Sequence, residues 1–310
     1  MKSRREELMA PRYEIALGSQ AFSAMLPPVK PLSTAIPLTA PRLRPWWLWP
    51  NLLSLDAPAV AVLWQELWAQ CLAADLTWTH RALLALAIWL AYCGDRLLDA
   101  RRLSGPVDSP RHEFARRHWF VLKNAWLVGF VGVVVLGLQL TLREIFLGAA
   151  LITVVGGYFV LHHWRQTRAR AGAAKEVMAG LVFGVGAVFI VVIQIRFSVA
   201  VALALAGWVC LCATNCLAIA CWDRARDAAM GQPSLARCWG GADRWRWLGP
   251  LAVVTLATLA WVMDARLGPV AAALFLGGMA LGEIGRWGQP SDCRRVLADA
   301  VLLVPILFLL

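Results

Sequence analysis

Long apolar segments constrain this chain more than any other feature of its sequence. Of its 310 residues 60% are hydrophobic, and the mean hydropathy is +0.61. A soluble domain of this size could not bury so much apolar side chain, and several stretches reach the roughly 17–25 residues that cross a bilayer. Because lipid offers no partner to backbone polar groups, we predict an all-α integral membrane protein.

The hydropathy pattern predicts two regions along the chain. Residues 1–50 begin with basic residues and are rich in proline, which is typical of a disordered cytoplasmic tail. Residues 51–310 form the predicted transmembrane domain. Its nine predicted spans are 52–72, 78–93, 124–141, 146–162, 176–195, 197–221, 247–263, 269–284 and 296–310.

Basic residues predict the orientation of these spans. With the N-terminus in the cytoplasm, cytoplasmic segments hold 26 of the 30 Lys and Arg residues and the outer turns hold 4. This asymmetry follows the positive-inside rule and indicates a multi-pass protein with its C-terminus outside. A basic face toward anionic membrane lipid explains the net charge of +11 without a nucleic-acid partner. The Ala- and Arg-rich composition favours a prokaryotic inner membrane.

Two pairs of aspartates lie at predicted cytoplasmic span ends. Asp95 and Asp99 follow the second span, and Asp223 and Asp227 follow the sixth. Residues four apart share one face of a helix, so each pair presents two carboxylates in one direction. We interpret the four as one site for Mg²⁺, which prefers oxygen ligands and bridges to substrate phosphates. The alternative is a set of charged loop residues paired with arginines.

Basic and polar residues near the two pairs are further candidates. Arginines beside the carboxylates could hold the oxygens of a diphosphate, which the metal would stabilise as a leaving group. They are Arg96, Arg102, Arg224 and Arg226. Asn124, at the start of the third span, is either a helix cap or a substrate contact. Tyr158, in the fourth span, either faces a substrate cavity or packs against neighbouring side chains.

The span count and the aspartate pairs resemble the UbiA superfamily of intramembrane prenyltransferases. The first motif of that family reads Asn-Asp-x-x-Asp-x-x-x-Asp, and Asp95 and Asp99 match its last two aspartates. Asp223 and Asp227 match the second motif, and Asn215 lies two turns before them. The first asparagine and aspartate of the family motif fall on Ala91 and Tyr92 here, so one usual carboxylate is missing.

The resemblance implies a nine-helix bundle that uses Mg²⁺ to ionise an isoprenyl diphosphate and passes the prenyl group to a hydrophobic aromatic or lipid acceptor. It also implies that Lys175, at the start of the fifth span, contacts diphosphate, although a flanking basic residue is the plainer interpretation. Two alternatives stay open. One is a terpene cyclase, which shares the metal site and has no acceptor, and the other is a membrane transporter or scaffold.

The sequence predicts structural roles for several of the remaining residues. We expect Asp56 to cap the first span, and Asp292 and Asp299 to be solvated or capping. His112 and His118 lie in an amphipathic segment that is either a lid over the site or an interfacial helix. Gly180 and Gly184 have the small-xxx-small spacing of closely packed helices.

Overall fold

The structure, a computed structural model, describes residues 45–102, 110–165, 175–229, 234–238, 242–287 and 290–310. Most of the predicted tail therefore lies outside the described residues. Within these ranges the regular structure is entirely helical. The helices are α1 Trp49–Leu52, α2 Asp56–Leu72, α3 Trp78–Arg102, α4 Pro110–Arg117, α5 Trp119–Gly137, α6 Leu142–Arg165, α7 Lys175–Gln194, α8 Val199–Trp222, α9 Arg224–Ala229, α10 Leu235–Cys238, α11 Ala242–Met263, α12 Gly268–Ile284, α13 Ser291–Val301 and α14 Ile306–Leu309.

Four described helical segments are long and apolar enough to cross a membrane, which agrees with the predicted class of helical membrane protein. They are Trp119–Gly137, Lys175–Gln194, Val199–Trp222 and Ala265–Ile284. Along α5 most large apolar side chains are exposed, including Phe120, Val128 and Val131. An exposed apolar helix of this length is stable in contact with lipid rather than water.

Two predictions about helix ends are wrong. The ninth predicted span is not one helix, because α13 ends at Val301 and a turn containing Pro305 precedes α14. Asn124 cannot cap a helix, since α5 begins at Trp119 and places it exposed in the second turn. The helix of the second predicted span continues to Arg102, so Asp95 and Asp99 lie one turn apart on it, as their spacing predicted.

Two tryptophans join helices across the core. Trp64 of α2 and Trp208 of α8 are fully buried, and their rings stack with centroids 4.0 Å apart. The Trp64 Nε1 donates to the carbonyl oxygen of Leu302 at 2.8 Å, and the Trp208 Nε1 donates to that of Gly184 at 2.9 Å. Each buried indole N–H is thus satisfied, and the pair connects α2, α7, α8 and the end of α13.

The turns at one end of the bundle are tied together by polar contacts. The backbone N–H of Asp75 donates to Gln194 Oε1 at 3.0 Å, which joins the α2–α3 turn to the end of α7. Thr79 donates to Gln139 at 2.9 Å, and His80 lies 3.2 Å from Glu144. Since alternate helices run in opposite directions, the start of α2 and the ends of α3 and α8 lie at the other end.

The small residues of α7 allow α8 to approach closely, which confirms the packing interpretation of Gly180 and Gly184. A Cβ added at Gly180 would lie 2.5 Å from the Cα of Ala213 and 2.9 Å from its Cβ. A Cβ added at Gly184 would lie 2.9 Å from Val209 Cγ2. At Gly180 the obstacle includes backbone, so a side chain there would push the two helices apart.

We expect Gly180→Ala to lower the free energy of unfolding by about 1–3 kcal/mol, because overpacking a close helix contact strains both backbones. Gly186→Ala is the matched control, since it lies on the same helix and an added Cβ there meets nothing within 4 Å. That control should be neutral or stabilising by up to about 1 kcal/mol. Thermal unfolding in detergent measures both, and equal stability of the two variants would contradict the close approach.

Candidate functional site

Charged side chains are buried together where α3, α4, α8 and α13 meet. We call this region the polar end and define it by Asn51, Arg96, Arg111, Asp223 and Arg295. Asn51, Arg96, Asp223 and Arg295 are all less than one-tenth exposed. Buried charges of this kind are expensive unless they are paired or hydrogen-bonded, so their partners show what the region can bind.

Arg96 is directed toward the backbone of α1. Its Nη1 donates to the carbonyl oxygens of Asn51 and, at 3.2 Å, of Leu52. The last carbonyls of a helix lack partners within that helix, and the guanidinium supplies a donor to two of them. The Asn51 carbonyl also accepts the backbone N–H of Ser54 at 3.2 Å. Arg96, predicted to hold phosphate, therefore has a structural task in this arrangement.

The short helix α4 packs against the polar end. His112, Phe114 and Ala115 are buried, and the Phe114 ring meets Trp49 edge-on with centroids 5.9 Å apart. Its Arg111 is within electrostatic range of Asp95, Asp99 and Asp223. Nothing in the sequence spacing had marked Arg111 as a site residue.

Asp223 is held by arginines. Arg295 Nη2 donates to its Oδ2, and Arg226 Nη1 lies 3.9 Å from its Oδ1. Arg226 also binds both oxygens of Asp292, at 2.5 and 3.3 Å. This bidentate pair is specific in geometry, and the expectation that Asp292 is merely solvated or capping was wrong.

Asp227 lies one helical turn beyond Asp223, and its environment is different. Burial raises the pKa of its carboxyl, while the positive charge of Lys175 acts in the opposite direction. The neighbouring Glu176 is buried and accepts the backbone N–H of Leu235 at 3.3 Å. The predicted candidate Lys175 thus lies close enough to the second aspartate pair to act on it electrostatically.

The four predicted aspartates do not form one compact cage. Their side chains are all described, and in the described part of the chain no three His, Cys, Asp or Glu residues are grouped closely enough to hold a metal. Asp95 and Asp99 still fit Mg²⁺, because this ion is usually held by one or two carboxylates together with substrate phosphates and water. Asp223 fits less well, since Arg295 already neutralises it.

Below the charged layer, Tyr92 is 37% exposed although it lies inside the bundle. Its ring centroid is 6.2 Å from that of Phe183, and Asp56, Asp299 and Cys216 are within electrostatic range. Groups from α2, α7, α8 and α13 are thus the neighbours of this ring. Tyr92 occupies the position where the resemblance expected an aspartate.

Two further acids, Asp56 and Asp299, are within electrostatic range of Tyr92. Asn51 Nδ2 donates to Asp56 Oδ2 at 2.8 Å and to Asp299 Oδ2 at 3.4 Å. Asn215 Nδ2 donates to Asp299 Oδ1 at 3.1 Å. Asn215 therefore contacts an acid that sequence reasoning had described as solvated or capping, and its expected contact with substrate stays a prediction.

The roles expected of Asp56 and Asp299 were wrong. The cap of α2 is Leu55, without a side-chain cap hydrogen bond, and Asp56 is the first helical residue. Asp299 lies in the apolar half of α13 and faces other helices. A signal was present, because Asp292, Arg295 and Asp299 recur at the three- and four-residue spacing of one helix face.

The other predicted site residues are separate from the polar end, or their side chains lie outside the described residues. Asn124 is exposed on α5, and Arg224 is half-buried at the start of α9. The side chains of Arg102 and Tyr158 lie outside the described residues.

Comparison with known proteins gave no match among family models, curated proteins or solved structures. The resemblance to the UbiA superfamily therefore depends on the order of the spans and on the two aspartate pairs.

His112 should make stability depend on acid. Burial, and then the charges of Arg111, Arg96, Arg295 and Lys175, lower its pKa from 6.5 to about 3. The unfolded chain takes up this proton near pH 6.5 and the folded chain does not. Above pH 6.5 this histidine therefore costs no stability. Between pH 6.5 and about pH 3 the free energy of unfolding falls by about 1.4 kcal/mol for each pH unit.

Measuring the free energy of unfolding in detergent between pH 7 and pH 4 checks this pH dependence of stability. His112→Gln should flatten the loss of stability, whereas His118→Gln, at an exposed position on the same segment, should keep the wild-type slope. Equal slopes for His112→Gln and wild type would contradict the buried, neutral imidazole.

Proposed function

We propose that this protein is a UbiA-like membrane enzyme that transfers an isoprenyl group from a prenyl diphosphate to a hydrophobic aromatic or lipid acceptor. In this proposal the chain crosses a prokaryotic inner membrane several times, with its N-terminus in the cytoplasm. The polar end then faces the cytoplasm, where a water-soluble diphosphate headgroup arrives. The apolar interior receives the prenyl chain.

One observation carries the proposal, namely that the charged polar end lies next to the aromatic rings of Tyr92 and Phe183, with Tyr92 one helical turn before Arg96 on α3. Arg111 is within electrostatic range of aspartates of both pairs, and the ring centroids of Tyr92 and Phe183 lie 6.2 Å apart. An amphiphile with an anionic head and a long apolar tail matches both halves of this arrangement. A soluble phosphate ester would use only the first half, and a neutral lipid only the second.

The residues of the chain have distinct tasks in this proposal. Asp95 and Asp99 would hold Mg²⁺, which when bound neutralises the diphosphate as it leaves. Arg111 and Lys175, which are within electrostatic range of the aspartates, would contact phosphate oxygens, and Arg295 would keep Asp223 in position. The surrounding helices exclude water, which would otherwise capture the allylic cation.

A terpene cyclase is the second candidate, and Tyr92 favours it. Where the family motif has a carboxylate, this chain places an aromatic ring beside Phe183, whose own ring is 6.2 Å from Trp208. Aromatic faces stabilise cations without capturing them. A cyclase would release diphosphate and form a cyclic product without any acceptor.

Release of diphosphate from geranyl, farnesyl and geranylgeranyl diphosphates by the protein in nanodiscs tests the proposal. We expect Asp95→Asn to lower release by about 100-fold or more, because it removes a group that stabilises the leaving charge. Asp264→Asn, which pairs with Arg266 at the opposite end, should keep wild-type release. Full release by Asp95→Asn would contradict the assigned site.

Binding of a prenyl diphosphate should depend on Arg111. Arg111→Gln removes a charge-assisted hydrogen bond of about 1.5–3 kcal/mol, so the dissociation constant should rise roughly tenfold to hundredfold. Arg143→Gln is the matched control, since Arg143 is exposed at the start of α6, away from the polar end. Equal affinities of the two variants would show that the headgroup binds elsewhere.

A further inference from the structure

An open groove lies between the end of α12 and the length of α13. Its volume is about 310 Å³, which falls at the lower end of the range for ligand-binding clefts, about 300–1,000 Å³. Both walls are apolar, and they are formed by the side chains of Ala280, Ile284 and Trp287 on one side and of Leu297, Ala300 and Val301 on the other. The groove therefore has the size and the lining for a hydrocarbon chain.

The groove begins where a predicted membrane span ends. Helix α12 belongs to the segment Ala265–Ile284, which is long and apolar enough to cross a membrane. Trp287 follows three residues later and is half exposed, and tryptophan is favoured at the boundary between membrane and water. In the other direction the exposed Leu276 lies one turn before Ala280 on the same helix face. The groove thus runs from the membrane surface along a helix that faces lipid.

Three charged residues lie at the surface end of the groove. Glu283 lines the groove and pairs with Arg286 at 3.2 Å, so these two charges compensate each other. Arg294 is on the opposite wall, one turn before Leu297 and on the same face of α13. Its guanidinium carbon lies 5.3 Å from the centre of the Trp222 ring, which holds it at the end of α8. This end of the groove therefore carries one positive charge in excess.

Arg294 differs from the other arginines around the start of α13. Arg295 donates to Asp223, and Arg226 pairs with Asp292. Among the described residues no carboxylate lies within ion-pair distance of Arg294. A guanidinium at a membrane surface without a carboxylate partner is complementary to the phosphate of an anionic lipid.

We propose that this groove binds one acidic phospholipid, with its phosphate at Arg294 and one acyl chain between α12 and α13. The proposal is independent of the proposed reaction. A lipid held there stabilises the contact between the two helices, because a ligand that binds only the folded state favours that state. Since α13 also carries Arg295, which pairs with Asp223, the bound lipid supports the polar end from outside.

Native mass spectrometry of the protein released from nanodiscs tests the headgroup contact. In nanodiscs of phosphatidylcholine with a minor fraction of phosphatidylglycerol, we expect the wild type to retain one phosphatidylglycerol molecule. Arg294→Gln should weaken this binding by about fivefold, since it removes one basic residue next to an anionic headgroup. Arg294→Lys keeps the charge and should retain the lipid. Arg143→Gln, at an exposed position on α6, is the matched control.

The acyl-chain contact is tested by filling the groove. Ala300 is exposed and lines the groove, so Ala300→Phe occupies the space without removing a charge. We expect this variant to lose the retained lipid and the rise in unfolding temperature that phosphatidylglycerol gives the wild type. Its unfolding temperature in pure phosphatidylcholine should equal that of the wild type, which shows that it is folded. Ala150→Phe, at an exposed position on α6, should keep the effect of the lipid.

Three results would overturn the lipid site. They are equal retention of phosphatidylcholine and phosphatidylglycerol by the wild type, wild-type retention by Arg294→Gln or by Ala300→Phe, and a lipid-free dimer that Ala300→Phe dissociates. The last result would make a second copy of the chain the occupant. A wild type that retains the lipid but releases no diphosphate from any prenyl diphosphate would reject the proposed function and keep the lipid site.

Discussion

The buried ion pair between Arg295 and Asp223 is the contact on which the polar end depends. It joins the start of α13 to the end of α8, and both side chains are less than one-tenth exposed. Loss of either partner would leave the other charge buried without compensation, which typically costs about 3–5 kcal/mol. By fixing α13, the pair also sets the position of Asp299 one turn farther into the bundle.

The polar end and the interior form one continuous arrangement. Charges that belong to different helices neutralise each other in the outer layer, and amides and carboxyl groups replace them farther in. Trp64 and Trp208 then close the core with stacked rings and satisfied N–H groups. In the proposed function, this change from charged to apolar surroundings matches a ligand with an anionic head and an apolar tail.

Much of this could be predicted from the sequence because it depends on local patterns. Hydropathy located the long helices, and the four-residue spacing placed Asp95 with Asp99 and Asp223 with Asp227. The close packing of Gly180 could also be anticipated, since its spacing with Gly184 is characteristic. The charge asymmetry predicts an orientation that no contact in the structure tests.

What escaped prediction depends on contacts between distant segments. Arg111 lies in a short polar helix whose docking on α1 and α3 has no local signal, and Asp56 looked like a helix cap because a proline follows two residues later. Asp299 was expected to be solvated or capping, although it shares a helix face with Asp292 and Arg295. Its true partners, Asn51 and Asn215, are 248 and 84 residues away along the chain.

The central claim is that a prenyl diphosphate binds with its head at the polar end and its tail in the interior. Cryo-electron microscopy of the protein in nanodiscs, with Mg²⁺ and a non-hydrolysable prenyl thiodiphosphate, tests this most directly. The account predicts diphosphate density between α3 and α8 within hydrogen-bond distance of Arg111, and a tail that passes Tyr92. Density for the headgroup at any other place, or an interior filled by side chains, would contradict it.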